Sequence, residues 1–285
     1  MSKEKIIVTC DSTCDLSPEL LERYGIKTSP LVVTMDDKAY RDGIDATPDD
    51  IYAFYEKTGK LAKSTAGNIA DYDDFFKENA KEGFELIHFC LSSEMSTTYN
   101  NARLAAEEYE NVHVVNTANL STGSGLLVLK AMDMIADGKT VPEILEEIET
   151  LKPRVDASFI IDSLTFLYKG GRCSAVSALG ANLLKLKPCI EVKDGSMGVG
   201  KKYRGKFDVV LKEYAKDRLE NADIDLRRVF VTHAGCDKEI VDSIARQVKN
   251  SLPFEEVLVT RAGCTISAHC GRNTLGVLFI RKNDI

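Results

Sequence analysis

Short apolar runs rich in valine and isoleucine alternate with longer stretches of helical periodicity through the first half of the chain. The strand-like runs are residues 5–10, 85–91 and 112–116, and the helical stretches that follow them are residues 18–24, 97–109 and 125–136. A crossover helix is the usual way to join two parallel strands, so this alternation predicts βαβ units around a parallel sheet. We therefore expect an N-terminal α/β domain.

The second half of the chain combines helical patterns with an antiparallel signal. Asp194-Gly195 separates two strand-like runs, residues 187–193 and 196–203, and such a pair is typical of a β-hairpin turn. The remaining predicted elements are strands at 157–161, 228–233, 256–261 and 275–281 and helices at 175–185, 209–219 and 238–249, with a further helix that ends at Gly170-Gly171. We predict a second α/β domain with a mixed sheet, and divide the chain into residues 1–155 and 156–285.

Length and charge narrow the classes of function. At about 100–200 residues per domain, the 285 residues suggest two domains. The chain carries 37 Lys and Arg against 44 Asp and Glu, a formal net charge of −7, and its basic cluster at residues 201–206 is short. Nucleic-acid-binding proteins usually present a broader basic surface, so we expect no nucleic acid partner, and only transient membrane contact or none.

The N-terminus, the apolar runs and the cysteines favour a cytoplasmic protein with free thiols. Residues 1–5 are polar and lead into a brief apolar run, unlike a signal peptide, and no apolar stretch approaches the roughly 18–20 residues of a membrane helix. The eight cysteines are scattered and form no Cys-x-x-Cys pair. We therefore expect neither disulfides nor a metal site.

Hydroxyl side chains cluster where predicted strands end and helices begin. Ser92, Ser93, Ser96, Thr97 and Thr98 follow the strand-like run 85–91. Hydroxyls and free backbone N–H groups at such a junction favour an anion, although a cluster of helix caps is an equally good interpretation for Ser96. A second segment, Ser64-Thr65, precedes a predicted helix, and a third, at 121–125, lacks the spacing of a dinucleotide site. Its small residues favour close packing of a helix on the sheet.

The remaining polar candidates are weaker when taken singly. Asp11 and Asp15 follow the first strand, where such residues commonly bond their own backbone. We expect His269 in a loop, where it can donate a hydrogen bond to an acid, and we expect Arg172 in a loop after two glycines. No complete set of nucleophile, base and orienting group appears. The residues by themselves indicate an anion site.

In order along the chain, the motifs are residues 11–16 (DSTCDL), Ser64-Thr65, residues 91–96 (LSSEMS) with Thr98-Tyr99, residues 166–172 (FLYKGGR), residues 266–271 (ISAHCG) and Leu275-Gly276. Together they resemble the DegV family of bacterial fatty-acid-binding proteins almost from end to end. The resemblance implies a two-domain α/β fold that holds one long-chain fatty acid in an apolar tunnel.

The same resemblance assigns roles to individual residues. It implies that Thr65, Ser92 and Ser93 hold the carboxylate through hydroxyl and amide groups, with His269 as a further partner. Arg172 is similar to a family arginine near the tunnel mouth. Arg204 is similar to a basic position linked to the head group or to a kinase.

In the family, the bound acid is presented to a separate ATP-dependent kinase, which forms an acyl phosphate for phospholipid synthesis. The resemblance therefore implies a carrier without catalytic residues, metal or cofactor, whose ligand is the fatty acid and whose partner is the kinase. His269 and Arg172 are expected to stabilise the charge that develops during phosphoryl transfer.

The chain departs from the family pattern at three places. Ala66-Gly67 stands where a Gln-Pro-Ser-like run is usual, Thr97 replaces a glycine, and Arg272-Asn273 replaces a Pro-Gly-like pair. The head-group hydroxyls remain, but the loops beside them change. Arg272 is expected to add a positive charge beside the carboxylate.

Two other classes of function stay open. One is a hydrolase or acyl-transfer enzyme that uses Ser93 with His269, or a phosphoryl-transfer subunit with a metal at Asp11 and Asp15. The other is a regulator or a module that binds a different carboxylate. The enzyme ranks below the carrier because no third group that would orient the histidine is identifiable.

Overall fold

The computed structural model describes residues 5–174, 186–220 and 223–283. A four-stranded parallel sheet is built from β1 (Ile6–Asp11), β2 (Lys27–Ser29), β6 (Glu85–Cys90) and β7 (Val112–Asn116), in the order β2-β1-β6-β7. The helices of this half are α1 (Pro18–Tyr24), α2 (Pro48–Thr58), α3 (Ile69–Asn79), α4 (Thr98–Ala106), α5 (Ser121–Ala136) and α6 (Val141–Leu151). The predicted parallel α/β unit is confirmed.

A six-stranded mixed sheet forms the second half. Its strands are β8 (Val155–Ile161), β9 (Leu186–Lys193), β10 (Ser196–Arg204), β11 (Ile224–Ala234), β12 (Glu256–Arg261) and β13 (Thr274–Arg281), in the order β10-β9-β8-β13-β11-β12. Only the β11–β12 pair is parallel within this sheet. The associated helices are α7 (Thr165–Gly170), α8 (Phe207–Leu219), α9 (Lys238–Ser251) and α10 (Cys264–Cys270). The predicted mixed sheet and its hairpin are confirmed, whereas the helix predicted at 175–185 lies outside the described residues.

A third, small sheet was absent from the prediction. It consists of β3 (Val32–Met35), β4 (Lys38–Arg41) and β5 (Lys63–Thr65), all antiparallel in the order β4-β3-β5. Strands of three or four residues are too short to show a clear period in the sequence. The small sheet packs with α2 and α10 around Val33, Ile51 and Ala268.

Helix α5 lies between the two large sheets and contacts strands of both. A Cβ added at Gly125 would lie 2.9 Å from the carbonyl oxygen of Cys14, so the helix can approach this closely only because the position is glycine. A Cβ added at Gly123 would lie 3.2 Å from Cβ of Ala157 in β8, so the predicted close packing of this helix on a sheet is confirmed at Gly123. One apolar cluster includes Val8 from the parallel sheet, Leu127 from α5 and Phe230 from the mixed sheet.

The outer faces of the two sheets carry other helices. Tyr72 and Phe76 of α3 pack with Leu86 on one side, and Val210 of α8 packs with Ile244 of α9 on the other. The molecule is therefore layered as helix, parallel sheet, α5, mixed sheet and helix. The division near residue 155 stays a prediction.

Candidate functional site

A cavity of about 380 Å³ lies beside α10, at the end of β5 and at the loop after β6. Its described lining consists of Leu31, Ser64, Thr65, Ala66, Leu91, Ser93, Glu94, Met95, Ser96, Thr97, Leu120, Arg172, Met197, Thr265, Ile266, His269 and Cys270. Both the volume and the mixture of apolar walls with a few polar groups are typical of small-molecule sites.

A narrow apolar crevice of about 30 Å³ adjoins this cavity and shares Leu120, Ile266 and Cys270 with it. Further along, the crevice is lined by Ala157 and Leu278 of the mixed sheet. The crevice therefore leads from the cavity to the face of the mixed sheet, beside the start of α5.

His269 is the centre of the polar end of the cavity. Its Nε2 lies 2.7 Å from Oγ of Ser64, within hydrogen-bond distance. Its Nδ1 is buried and has no hydrogen-bond partner among the described residues. Burial of the ring and the positive charge of Arg172 lower the pKa of His269 to about 4, so the imidazole is neutral at pH 7. The sequence placed His269 in a loop, but it lies in α10.

Gly170 determines where the His269 ring can lie. A Cβ at position 170 would be 2.5 Å from Nδ1 of His269, which is closer than carbon and nitrogen can approach without displacement. Gly170 is the last residue of α7. The predicted end of that helix at Gly170-Gly171 is confirmed, with Gly171 in the left-handed conformation. The absent side chain at Gly170 thus makes room for the histidine.

Ser93 is held by a residue that the sequence analysis missed. Oδ1 of Asn116 accepts from the backbone N–H of Ser93 at 3.2 Å, and Nδ2 of Asn116 donates to Oγ of Ser93 at 2.8 Å. Asn116 ends β7, the neighbour of β6 in the parallel sheet. A polar residue at the carboxyl end of a parallel strand was the available signal.

The other predicted residues divide into two groups. Thr65, at the exposed end of β5, and Arg172 both line the cavity, and Nη1 of Arg172 donates to the carbonyl oxygen of Gly170 at 2.8 Å. Ser92 and Arg204 are outside the described lining. Oγ of the buried Ser92 donates to the carbonyl oxygen of Gly195 at 2.7 Å, which joins the loop to the β9–β10 hairpin, and Arg204 is exposed at the end of β10.

Arg272 does not add charge to the cavity, contrary to the expectation from the sequence. Its guanidinium lies over the Tyr52 ring, 4.5 Å from the centroid, and is 3.4 Å from the carboxylate of Glu56. These residues line a separate pocket, whose described lining shares no residue with that of the cavity. Its own ion pair and stacking contact account for the position of Arg272.

Asp15 and Asp42 shape the start of α10. Asp15 accepts from Oγ of Ser121 at 2.5 Å and from the backbone N–H of Gly263 at 2.8 Å. Asp42 accepts from the backbone N–H groups of Cys264 at 2.6 Å and Thr265 at 2.9 Å. Burial raises the pKa of Asp15 to about 8. Both carboxyl groups serve the backbone around α10.

Asp11 belongs to a different buried network. It accepts from the Tyr72 hydroxyl at 2.5 Å and from the backbone N–H of Leu91 at 3.0 Å, and lies 3.2 Å from Nε2 of His88. The candidate ligand atoms of Asp11, His88 and Cys90 lie within 4.8 Å of one another. Burial and the Asp11 charge raise the pKa of Cys90, which disfavours the thiolate that a metal would need. Hydrogen bonds account for the position of Asp11 in this cluster. Asp15, the other residue of the predicted metal alternative, is hydrogen-bonded to Ser121 and Gly263 instead.

The pairing that the enzyme alternative requires is not formed. Ser93 is bonded to Asn116, and His269 is bonded to Ser64. A serine nucleophile needs a base that accepts its proton, and His269 has a lowered pKa and an Nδ1 without an acidic partner among the described residues. The geometry fits the holding of an anion better than nucleophilic catalysis.

The fold, a parallel and a mixed sheet on either side of α5, is that of a known family. The family model described as "Uncharacterised protein, DegV family" matches residues 5–282, and the chain belongs to this family. A DegV domain-containing protein of Caldanaerobacter subterraneus is 30% identical over 283 residues, covering 98% of this chain and 100% of that protein.

Solved structures of the family have the same fold. A DegV family protein from Thermus thermophilus, described by its fatty acid binding, has a TM-score of 0.88 at 29% identity and covers 97% of this chain and 99% of its own. A stearic acid-binding protein from Eubacterium ventriosum has a TM-score of 0.83 at 27% identity and covers 99% of each chain. In the part of the chain that the structure describes, no helix is both long and apolar enough to cross a membrane.

Proposed function

We propose that this chain binds one long-chain fatty acid, with the carboxylate at the polar end of the cavity and the acyl chain in the apolar part and the crevice. The observation that carries the proposal is the continuity between Ser64, Ser93 and His269 at one end and the apolar crevice against the mixed sheet at the other. The relatives from Thermus thermophilus and Eubacterium ventriosum, described as binding a fatty acid and stearic acid, support the same ligand.

The polar end offers hydroxyl hydrogens to a carboxylate. Because Asn116 donates to Oγ of Ser93, the hydroxyl hydrogen of Ser93 is left for the ligand. A neutral His269 with its proton on Nε2 donates to Oγ of Ser64 and leaves that hydroxyl hydrogen for the ligand as well. Thr65 supplies a third hydroxyl. Charge-assisted hydrogen bonds of this kind hold and orient a carboxylate.

The acyl chain supplies most of the affinity. Each methylene removed from water contributes roughly 0.8 kcal/mol, so a long chain outweighs the net gain from two or three hydrogen bonds. The apolar side chains Leu31, Leu91 and Met197 form the cavity wall, and Leu120 and Ile266 lead to the crevice. The polar residues set the orientation of the acid.

We further propose that the carboxylate is presented to a separate ATP-dependent kinase in the cytoplasm, which forms an acyl phosphate for phospholipid synthesis. A groove of about 970 Å³ shares Ser64, Arg172 and His269 with the cavity and is also lined by Lys63 and Lys169. It gives a phosphate donor a route to the polar end, along which four basic side chains (Lys60, Lys63, Lys169 and Arg172) outnumber two acidic ones (Asp36 and Asp37). In this proposal Arg204 faces the kinase and Ser92 positions the loop that carries Ser93.

The first experiment is extraction of the purified protein under denaturing conditions, followed by mass spectrometry. We expect about one saturated or unsaturated acid of 14 to 18 carbons per chain, the length for which methylene burial gives tight binding. A protein that yields no acid after expression and binds none when acid is added contradicts the proposal. An empty protein that hydrolyses an ester would favour the enzyme instead.

The second experiment tests the head-group contacts. Thr65→Val, Ser64→Ala and Ser93→Ala each remove one hydroxyl donor, which should cost about 1–3 kcal/mol of binding free energy if the carboxylate is left short of a partner. Isothermal titration with a fatty acid measures the change, and Ser251→Ala, which removes an exposed hydroxyl at the end of α9, is the control. Unchanged affinity in the Thr65→Val and Ser93→Ala double variant would place the carboxylate elsewhere.

The third experiment concerns the transfer step. With a fatty acid kinase present, the double variant Arg172→Ala and His269→Ala should form acyl phosphate more slowly than the wild type, because two groups beside the carboxylate are lost. Bound acid is quantified in the same samples, so that a defect in transfer is separated from a defect in binding. Normal turnover in the double variant would remove both residues from the proposed step.

A further inference from the structure

Thr265 is a buried residue in the cavity wall whose hydroxyl has no hydrogen-bond partner among the described residues. The residue is 4% exposed and is the second residue of α10. Its Oγ1 has no hydrogen-bond partner among residues 5–174, 186–220 and 223–283. A buried hydroxyl without a hydrogen-bond partner costs free energy. A ligand group in the cavity that forms a hydrogen bond with Oγ1 of Thr265 would therefore be bound more tightly.

The other buried or partly buried hydroxyls around the cavity and the crevice do have partners. These pairs are Ser64 with His269, Ser93 with Asn116, Ser96 with Thr98, Ser121 with Asp15, Thr232 with Thr122 and Thr260, and Thr274 with the carbonyl oxygen of Cys270. Thr65 and Thr97 are exposed and can bond to water. Thr265 differs from all of them, since it is neither paired nor exposed.

The position of Thr265 is set by its backbone. Asp42 accepts from the N–H groups of Cys264 and Thr265, which fixes the first turn of α10. A valine would have the same shape at this position without an unpaired oxygen, so packing alone does not require a hydroxyl.

Thr265 and His269 are four residues apart in α10 and both line the cavity. Residues with this spacing lie on one face of a helix, about 6 Å apart along its axis. If the carboxylate lies at the Ser64 and His269 end, as proposed above, Thr265 lies beside the first few carbons of the acyl chain. An oxygen on one of those carbons would meet the Thr265 hydroxyl.

We propose that Thr265 is a specificity residue that recognises an oxygen substituent near the carboxylate, so that the protein prefers 3-hydroxy fatty acids to unsubstituted acids of equal length. This inference rests on the proposed fatty-acid function and names a substrate class within it. The Thr265 hydroxyl donates to or accepts from the hydroxyl of the ligand. An unsubstituted acid cannot form this hydrogen bond.

The test uses the full chain after removal of bound lipid, titrated with hexadecanoic acid and with 3-hydroxyhexadecanoic acid. We expect the wild type to bind the hydroxy acid about threefold to tenfold more tightly, the ratio that one neutral hydrogen bond provides. Thr265→Val should abolish this preference and bind the unsubstituted acid at least as well as the wild type. Thr265→Ser, which keeps the hydroxyl, should retain the preference.

Each other outcome is decisive. Equal affinity of the wild type for both acids overturns the role of Thr265 and leaves the proposed function standing. An equal loss for both acids in Thr265→Val assigns its hydroxyl to the carboxylate and also overturns the inference. Failure of the wild type to bind either acid overturns the proposed function, and this inference with it. Thermal unfolding of lipid-free Thr265→Val should show no loss of stability, whereas a large loss would give the hydroxyl a structural role.

Discussion

At the scale of single residues, the polar end of the cavity depends on contacts that leave hydrogen-bonding capacity for a ligand. Asn116 and His269 each occupy one side of a serine hydroxyl, at 2.8 Å from Ser93 and 2.7 Å from Ser64. Such supporting residues hold the binding groups in place before the ligand arrives, which lowers the cost of ordering them on binding. The arrangement in turn needs Gly170, because His269 lies against it.

Gly170→Ala is predicted to weaken fatty acid binding by about tenfold, the equivalent of one lost hydrogen bond to a charged group. The new Cβ would lie 2.5 Å from Nδ1 of His269 and would displace the ring from Ser64. Helix propensity alone predicts that Gly170→Ala raises the free energy of unfolding, since alanine is favoured over glycine in a helix by up to about 1 kcal/mol. Weaker binding would therefore come from the displaced ring and not from a less stable helix. Titration calorimetry measures the affinity of the variant.

Gly198→Ala is the matched control for this substitution. Gly198 lies in β10, and a Cβ there would have no heavy atom within 4 Å. We expect wild-type affinity for this variant. Equal affinities of Gly170→Ala and Gly198→Ala would show that the position of His269 does not matter for the acid.

At the scale of secondary structure elements, α10 is the element on which the cavity depends most. Thr265, Ile266, His269 and Cys270 all line the cavity. The helix has seven residues and follows Gly263, which has no side chain that could cap it. Asp42 provides the cap from 222 positions away in the chain. The start of α10 is therefore a property of the tertiary structure.

Asp42→Ala is predicted to destabilise the protein by about 1–3 kcal/mol and to weaken fatty acid binding, because two buried N–H groups at the start of α10 lose their acceptor. Denaturant unfolding and titration measure the two effects. Glu143→Ala is the control, since Glu143 accepts from the backbone of Thr140 at the exposed start of α6, away from the cavity. It should cost up to about 2 kcal/mol and leave affinity unchanged. Loss of affinity in both variants would mean that general destabilisation, not α10, controls binding.

The same helix shows why the sequence predicted some elements and missed others. The strands and helices of the large sheets carry local periodicity, so most were predicted to within a few residues. The start of α10 and the pairing of Val32 with Thr65 in the small sheet join residues that are far apart in sequence. No local pattern encodes such contacts, and for this reason His269 was expected in a loop and Ser64 was not matched to it.

The sequence predicted that several polar residues lie together, but not the direction in which each side chain points. Hydroxyls at strand ends indicated an anion, and Thr65, Ser93, Arg172 and His269 do line one cavity. Whether a hydroxyl faces the cavity depends on packing, and Ser92 points instead to the β9–β10 hairpin. A family motif transfers the identity of a residue but not the direction of its side chain.

At the scale of the whole molecule, the crevice lies against the mixed sheet at the start of α5, and α5 joins the two halves of the molecule. Arg228 of β11 is 5% exposed, and it donates to Asp133 of α5 at 2.8 Å, to Glu256 of β12 at 2.6 Å and to the Tyr24 hydroxyl at 3.1 Å. Helix α5 contacts strands of both sheets. Because Ser121 at the start of α5 lines the crevice, a ligand buried there should stabilise both halves together.

Removal of bound lipid is predicted to lower the free energy of unfolding, and added acid should restore it by an amount that rises with the logarithm of its affinity at a fixed free concentration. A ligand that binds only the native state adds about 2.7 kcal/mol at one hundred times its dissociation constant. Longer acids should stabilise more at equal free concentration, by up to about 0.8 kcal/mol per methylene, until the crevice is filled. Denaturant unfolding with acids of increasing length measures this series.

Val192→Phe tests whether the crevice sets the end of that series. Val192 of β9 lines the crevice and is outside the described lining of the main cavity. The larger side chain fills space that the end of the acyl chain would occupy, so the gain with chain length should stop at a shorter acid than in the wild type. Overpacking itself costs about 1–3 kcal/mol, which lowers the stability of lipid-free protein and is measured separately. If the wild type and Val192→Phe reach their plateau at the same chain length, the acyl chain does not enter the crevice, and its path must lie along another wall of the cavity.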